Sequence, residues 1–185
     1  MLLDQELAQK VIGEALKRGG DFAEIYAERS RSNTLSLEDS RIERSATGLD
    51  AGASIRVTRG RAISFVSTDS LEEGSLLEAA RLAGDGLAGG GAVMSQLSLI
   101  EHPSPHIIEV APAKVAALDK AAMLLAADEA ARGAGSEIVQ VSVSFSDDFS
   151  EIMVANSEGT LAGEERTRVR LSARAVGSRE GITQT

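Results

Sequence analysis

No cysteine occurs anywhere in the chain. That excludes disulfides, thiolate nucleophiles and thiolate-ligated zinc together, and it suits a cytosolic (cytoplasmic) protein. Tryptophan is missing too, and aromatic residues make up 3% of the sequence, so the core must be built from Ala, Val, Leu and Ile. Basic residues are outnumbered, leaving a net charge of -9. A surface that acidic disfavours nucleic-acid phosphate, whose binding depends on clustered Lys and Arg. Long apolar runs are absent as well. The opening MLLDQELAQK carries two early acids and reads as neither a signal peptide nor a membrane span, so neither a nucleic acid nor a membrane is an expected partner.

What the chain does contain is ordinary for a globular protein: 43% hydrophobic and 25% charged residues over 185 positions, enough to bury a core. The stretch Gly48 to Thr68 reads as two strands and a turn. Ala51, Ala53, Ile55 and Val57 alternate with Gly52, Ser54, Arg56 and Thr58, the period of a half-buried strand. Arg59-Gly60 supplies the turn, where glycine accepts a positive φ.

Ahead of this hairpin, Leu7, Ala8, Val11, Ile12, Ala15 and Leu16 form a helical stripe over about residues 4–18, with Asp4 as N-cap and Gly19-Gly20 as stop. Three strands are predicted next. Residues 21–30 place Ala23, Ile25 and Ala27 on one face, residues 33–38 place Leu35 and Leu37, and residues 40–47 read as a polar edge strand with Ile42 and Ala46 inward. After the hairpin, Ser70 with Glu73 fits a capping box for a helix carrying Leu76, Leu77, Ala80 and Ala83 and ending near Gly84.

The glycine-rich run that follows has neither a P-loop lysine nor a strand before it, and reads as a linker over 84–96. Residues 97–110 read as an extended loop. Pro112 opens a third helix whose faces are marked by Val115, Leu118, Ala122, Leu125, Ala126 and Glu129, with Gly133 and Gly135 at its end. Strands over 139–146, 152–156 and 169–175 close the chain. Helix, strands, helix, linker, helix, strands in that order predict an α+β fold with mostly antiparallel strands.

No stretch offers a complete active-site motif. The two histidines, His102 and His106, stand at a zinc-like spacing after Glu101, but Pro103 and Pro105 between them forbid a helix and put them on an extended loop. Asp147, Asp148 and Glu151 do not match a calcium loop and read as a solvated hairpin turn, as do Glu38-Asp39 and Glu164-Glu165. Arg166, Arg168, Arg170 and Arg174 alternate along a strand and read as its solvated face. No G-x-S-x-G elbow occurs. The expected set of catalytic, cofactor-binding and metal-binding residues is therefore empty.

Several blocks taken together resemble the modulator-of-DNA-gyrase family, the TldD/PmbA proteins: DFAEIYAERS at 21–30, LEDSRIER at 37–44, GASIRVTRGRAISFVSTDSL at 52–71 and VSVSFSDDFSEIMVANSEGTLAGEERTRVRLSARAV at 141–176. The LED at 37–39 and the HPSPH loop are more similar to TldD than to its PmbA (TldE) partner.

The resemblance implies a cytosolic zinc-dependent peptidase acting on peptides or unfolded proteins, as a homo- or hetero-oligomer with a TldD/PmbA-type subunit. It also implies an HExxxH helix and a cysteine ligand in a C-terminal metallopeptidase domain, neither of which this sequence contains. The expectation is an N-terminal, non-catalytic domain spanning 1–185, with sub-halves 1–83 and 97–185 around the 84–96 linker. It would hold no cofactor of its own and would shape the substrate channel and subunit interface. The final GITQT reads as an unfinished strand, as expected of a truncated chain. The alternative reading is a stand-alone peptide-binding module, or a PmbA-type non-catalytic subunit, that adds a peptide strand to a sheet edge.

Overall fold

Four strands of 17, 19, 19 and 20 residues, several times the usual length, frame the protein. In chain order the computed structural model contains α1 (Gln5–Leu16), β1 (Phe22–Glu38), β2 (Arg41–Arg59), β3 (Ala62–Thr68), α2 (Glu73–Asp85) and β4 (Ser98–Glu101). A 3-10 turn (Pro112–Lys114), α3 (Ala117–Arg132), β5 (Ile138–Asn156), β6 (Thr160–Arg179) and β7 (Ile182–Gln184) follow. Residues 2–87, 95–101 and 108–185 are described. The strands form one sheet in the order β3-β2-β1-β5-β6-β4, with β7 also on β6.

Two- and three-residue turns join β1 to β2 and β5 to β6, so those pairs are antiparallel hairpins. The Asp39 N–H bonds the Val141 carbonyl and the Ser157 N–H bonds the Ala23 carbonyl, which makes β1 and β5 antiparallel as well. The short β4, by contrast, runs parallel to its neighbour β6. The fold is thus α+β with mostly antiparallel strands, as the order of elements predicts.

Three long strands were each expected as two shorter ones. Strand β1 runs unbroken through Ser30–Asn33, β2 through Gly48-Leu49-Asp50, and β5 through Asp147–Glu151. At each join the side chains are polar or partly exposed on both faces, so hydrophobic alternation fades while the backbone ladder continues. The 40–47 segment is at the sheet edge as expected, because β3 pairs with β2 only from Ala53 onward. Ile42 is exposed there rather than inward.

The chain folds as two compact units, and the four long strands run from one to the other. Unit 1 comprises 1–30, 49–105 and 150–166. Its core is made of Ala23, Ile25 and Ala27 of β1, Ala53, Ile55 and Val57 of β2, Met153 and Ala155 of β5 and Leu161 of β6, under the buried faces of α1 and α2. The Asp4 carboxylate accepts the Leu7 N–H at 2.7 Å and caps α1 as predicted.

At α2 the cap differs. Ser70 accepts the Glu72 N–H rather than a donor inside the helix, and Glu72 takes the N-cap position without a side-chain bond. The helix ends at Asp85, so the first residues of the expected 84–96 linker are helical; residues 88–94 of it lie outside the described residues. Gly84 permits the close approach of α1 and α2: a Cβ there would stand 2.5 Å from the Ala15 carbonyl oxygen. The β2–β3 turn is built as expected, with Gly60 at φ 56 and its N–H donated to Asp21 at 2.6 Å.

Unit 2 comprises 31–48, 106–149 and 167–185. Its apolar core is small: Leu35, Leu37, Leu124, Val141, Val143 and Phe145. Pro112 opens a separate 3-10 turn rather than the third helix, because the Val115 backbone is extended before α3 begins at Ala117. That helix buries Lys120, Leu124 and Asp128, an i, i+4, i+8 stripe that is two-thirds polar, and leaves Leu118 83% exposed and Leu125 45% exposed.

Charge partners make this stripe buriable. Lys120 Nζ lies 2.6 Å from Asp147 Oδ2 and 5.7 Å from the Phe145 ring centre, and Asn33 donates to Asp147 Oδ1 at 2.7 Å. Asp128 accepts from Ser40 at 2.6 Å and from Arg132, which also reaches Asp39 at 2.6 Å. Asp147 is therefore a buried member of a strand, not part of a solvated turn, and Glu164-Glu165 likewise lies within β6. Asp39 does occupy a turn, at φ 45. The Arg132 bond, helped by the Val141 N–H, holds its carboxyl below the ordinary carboxylate value.

Replacing Gly60 by Val should cost about 1–3 kcal/mol, since a β-branched residue is strained at positive φ; a thermal melt measures it. Lys120→Met should cost about 3–5 kcal/mol by leaving Asp147 buried without its cation, and the double variant Lys120→Met/Asp147→Leu should recover much of that loss in urea unfolding.

Candidate functional site

Period-two alternation sends one side chain of each pair into the unit 1 core and its neighbour to the opposite face of the sheet. On that opposite face stand Phe22, Glu24, Tyr26 and Glu28 of β1, and Ser54 and Arg56 of β2. Ile152 and Val154 of β5, with Ala162, Glu164 and Arg166 of β6, continue it. Helices α1 and α2 pack on the inward face, and among the described residues of unit 1 no helix covers this one. Phe22 and Arg56 stack, with the guanidinium 5.9 Å from the ring centre, and Arg56 also bonds Glu24 at 3.0 Å.

Tyr26 lies between two depressions on this face. One, of about 510 Å³, lies where β3 leaves β2 and is lined by Tyr26, Glu28, Asp50, Gly52, Ser67 and Asp69 among others. Gly52 forms part of its floor: a Cβ there would stand 2.7 Å from the Thr68 carbonyl oxygen, so the two strands could not close. The second depression, of about 200 Å³, has an apolar floor of Ile152, Val154 and Ala162 and a charged rim of Glu164 and Arg166, which bond at 2.7 Å. The first is acidic and rich in hydroxyls; the second is mainly apolar.

The Tyr26 hydroxyl donates to Glu28 at 2.6 Å. Burial, then the Glu28 bond and charge, push its pKa from 10.0 up to about 12, against a smaller opposing pull from Arg166. The phenol is thus a neutral donor at physiological pH, which fits binding better than proton abstraction.

The sequence candidates are not drawn together on this face. His102 and His106 lie outside the described residues. Asp147 is occupied by Lys120 and Asn33, and Glu151 pairs with Arg29 at 3.7 Å. Arg166, Arg168, Arg170 and Arg174 are exposed along β6, as expected of a solvated face. Among the described residues no three His, Cys, Asp or Glu side chains are grouped to hold a metal ion. A zinc site of the kind the family resemblance implies does not fit the described residues: the chain has no cysteine, and the described buried carboxylates Asp128 and Asp147 already carry Arg and Lys partners. Sequence reasoning missed Tyr26, whose one available signal was its place opposite the buried Ala23, Ile25 and Ala27.

Residues 23–86 match the family described as PmbA/TldA metallopeptidase domain 1, and residues 111–184 match the PmbA/TldA metallopeptidase central domain. A metalloprotease TldD homolog of Haemophilus influenzae is 28% identical over 159 residues, covering 84% of this chain and 33% of that protein. A metalloprotease of Methanothermobacter thermautotrophicus is 31% identical over 166 residues, covering 85% and 34%. The chain thus spans about a third of the length of these relatives.

Among solved structures, TldE of Thermococcus kodakarensis superposes with a TM-score of 0.71 at 21% identity, covering 97% of this chain and 41% of that one. A protein of Bacteroides thetaiotaomicron described as a candidate modulator of DNA gyrase gives 0.73 at 23% identity, covering 98% and 43%. At these identities the structural likeness concerns the fold alone.

The chain has one tyrosine, so alkaline titration of its phenolate absorbance should give a midpoint near 12. Because the folded-state pKa is raised, the stability contributed by the protonated phenol is complete below about pH 10 and is lost as pH rises towards about 12. Glu28→Gln should move the midpoint back towards 10.0, since it removes the charge that opposes ionisation.

Proposed function

Because the chain belongs to the PmbA/TldD metallopeptidase family, we propose that it forms the non-catalytic domains of a TldD-like zinc metallopeptidase. The observation that carries this reading is the ordered match of domain 1 and then the central domain over 23–184, in a chain one third the length of its relatives. The peptidase chemistry then belongs to a segment outside this sequence. This chain would shape the channel and the subunit interface, in the cytosol, for peptides or unfolded proteins as substrates.

The face of unit 1 that carries Tyr26 supports the channel role. An extended peptide presents apolar and polar side chains in alternation. The face offers an apolar floor at Val154 and Ala162 beside an acidic depression with Glu28, Asp50 and Asp69. The Tyr26 hydroxyl gives its one proton to Glu28, so its lone pairs remain to accept a peptide N–H. Their part in this reading is to bind and orient.

The isolated chain should neither retain stoichiometric zinc after chelator treatment nor hydrolyse peptides, as read by metal analysis and a fluorogenic peptide assay. It should bind a labelled, unstructured peptide weakly, and Val154→Lys should weaken that binding about tenfold by charging the apolar floor. Peptide binding unaffected by Val154→Lys, in a folded variant, would remove the face from the channel.

A further inference from the structure

We propose that β3 is a self-pairing edge at which two copies of this chain join their sheets antiparallel. The inference does not rest on the channel reading. It rests on the edge itself. Strand β3 is the terminal strand of the sheet order, paired on one side to β2 from Arg59↔Ala62 to Ala53↔Thr68, and no strand among the described residues takes its other side. Natural edges are usually guarded by charge, proline or a bulge. The segment AISFVST has no charged residue and no proline, and its register against β2 advances one residue at a time, without a bulge.

The side chains beside this open edge match a second copy of themselves. Ile63 is 66% exposed and Phe65 is 62% exposed, both on the face away from α2, while Val66 packs inward. Arg61 stands exposed just before the strand and Asp69 exposed just after it. In an antiparallel pair centred on Phe65, the two phenylalanines face each other and each Ile63 faces Ser67 of the second copy. Each Arg61 end meets the Asp69 end of the other. Opposite charges fall at both ends and an aromatic pair at the centre, the self-complementarity a twofold contact requires.

One strand-to-strand joint is smaller than a standard interface, so the dimer is weak, with a Kd on the order of 10 μM. Sedimentation equilibrium of the intact chain up to about 300 μM should follow a monomer–dimer equilibrium of that strength. Phe65→Lys should abolish it. Arg61→Asp and Asp69→Arg should each weaken dimerisation about tenfold, and the double variant Arg61→Asp/Asp69→Arg should restore it. Circular dichroism melts confirm that each variant is folded. A wild-type chain that stays monomeric over this range overturns the proposal. So does a dimer indifferent to Phe65→Lys, or a charge swap that fails to restore pairing. A monomer whose β3 instead captures an extended peptide would also overturn it, assigning the edge to peptide recognition.

Discussion

Small side chains set the terms on which this protein can be packed. With no tryptophan, one tyrosine and four phenylalanines, the unit 1 core is filled by Ala, Val, Ile, Leu and Met153, so sheet and helices must approach closely to leave no voids. That requirement reaches the backbone at Gly84, where α2 sits against the Ala15 carbonyl with no room for a methyl group. The buried face of α1 follows the same rule, with Ala8 and Ala15 between Val11, Ile12 and Leu16. Larger residues on that face would separate the layers rather than enrich the core.

Unit 2 answers the same scarcity differently. Its apolar core has few members, and α3 is held as much by Lys120–Asp147 and by the Ser40–Asp128–Arg132–Asp39 chain as by Leu124. Buried ion pairs contribute little net stability over an apolar replacement, but they punish misplacement severely, because an unmatched buried charge is costly. The polar stripe of α3 therefore fixes which face of the helix turns inward. Each charge on the stripe has one partner position on β5 or on the β1–β2 turn.

The alternation of Ala23, Ile25 and Ala27, of Ala53, Ile55 and Val57, and of Val141, Val143 and Phe145 could be read directly, and each triplet is buried. Strand continuity could not be read, because hydrogen-bonded backbone extends through polar stretches whose side chains carry no period, as at Ser30–Asn33. The α3 face was misleading for a related reason: Leu118 and Leu125 invite burial by composition, yet Lys120 and Asp128 are buried because their partners lie far away in sequence. Of the candidate site, the outward parity of Tyr26 was visible. Its neighbours on β5 and β6 were not, since they are brought beside it only by the sheet order.

Tyr26 is also the only strongly absorbing and emitting side chain in the molecule, and it belongs wholly to unit 1. Its emission follows the loosening of that unit and is blind to Leu124, Phe145 and the ion pairs of the other. Backbone circular dichroism sees both. Superimposable curves from the two signals would mean that the long strands transmit unfolding from one unit to the other as a single event. Curves that part would give the free energy separating the two transitions. An amino acid present once, in one unit, thus makes the cooperativity of the whole chain measurable without any added label.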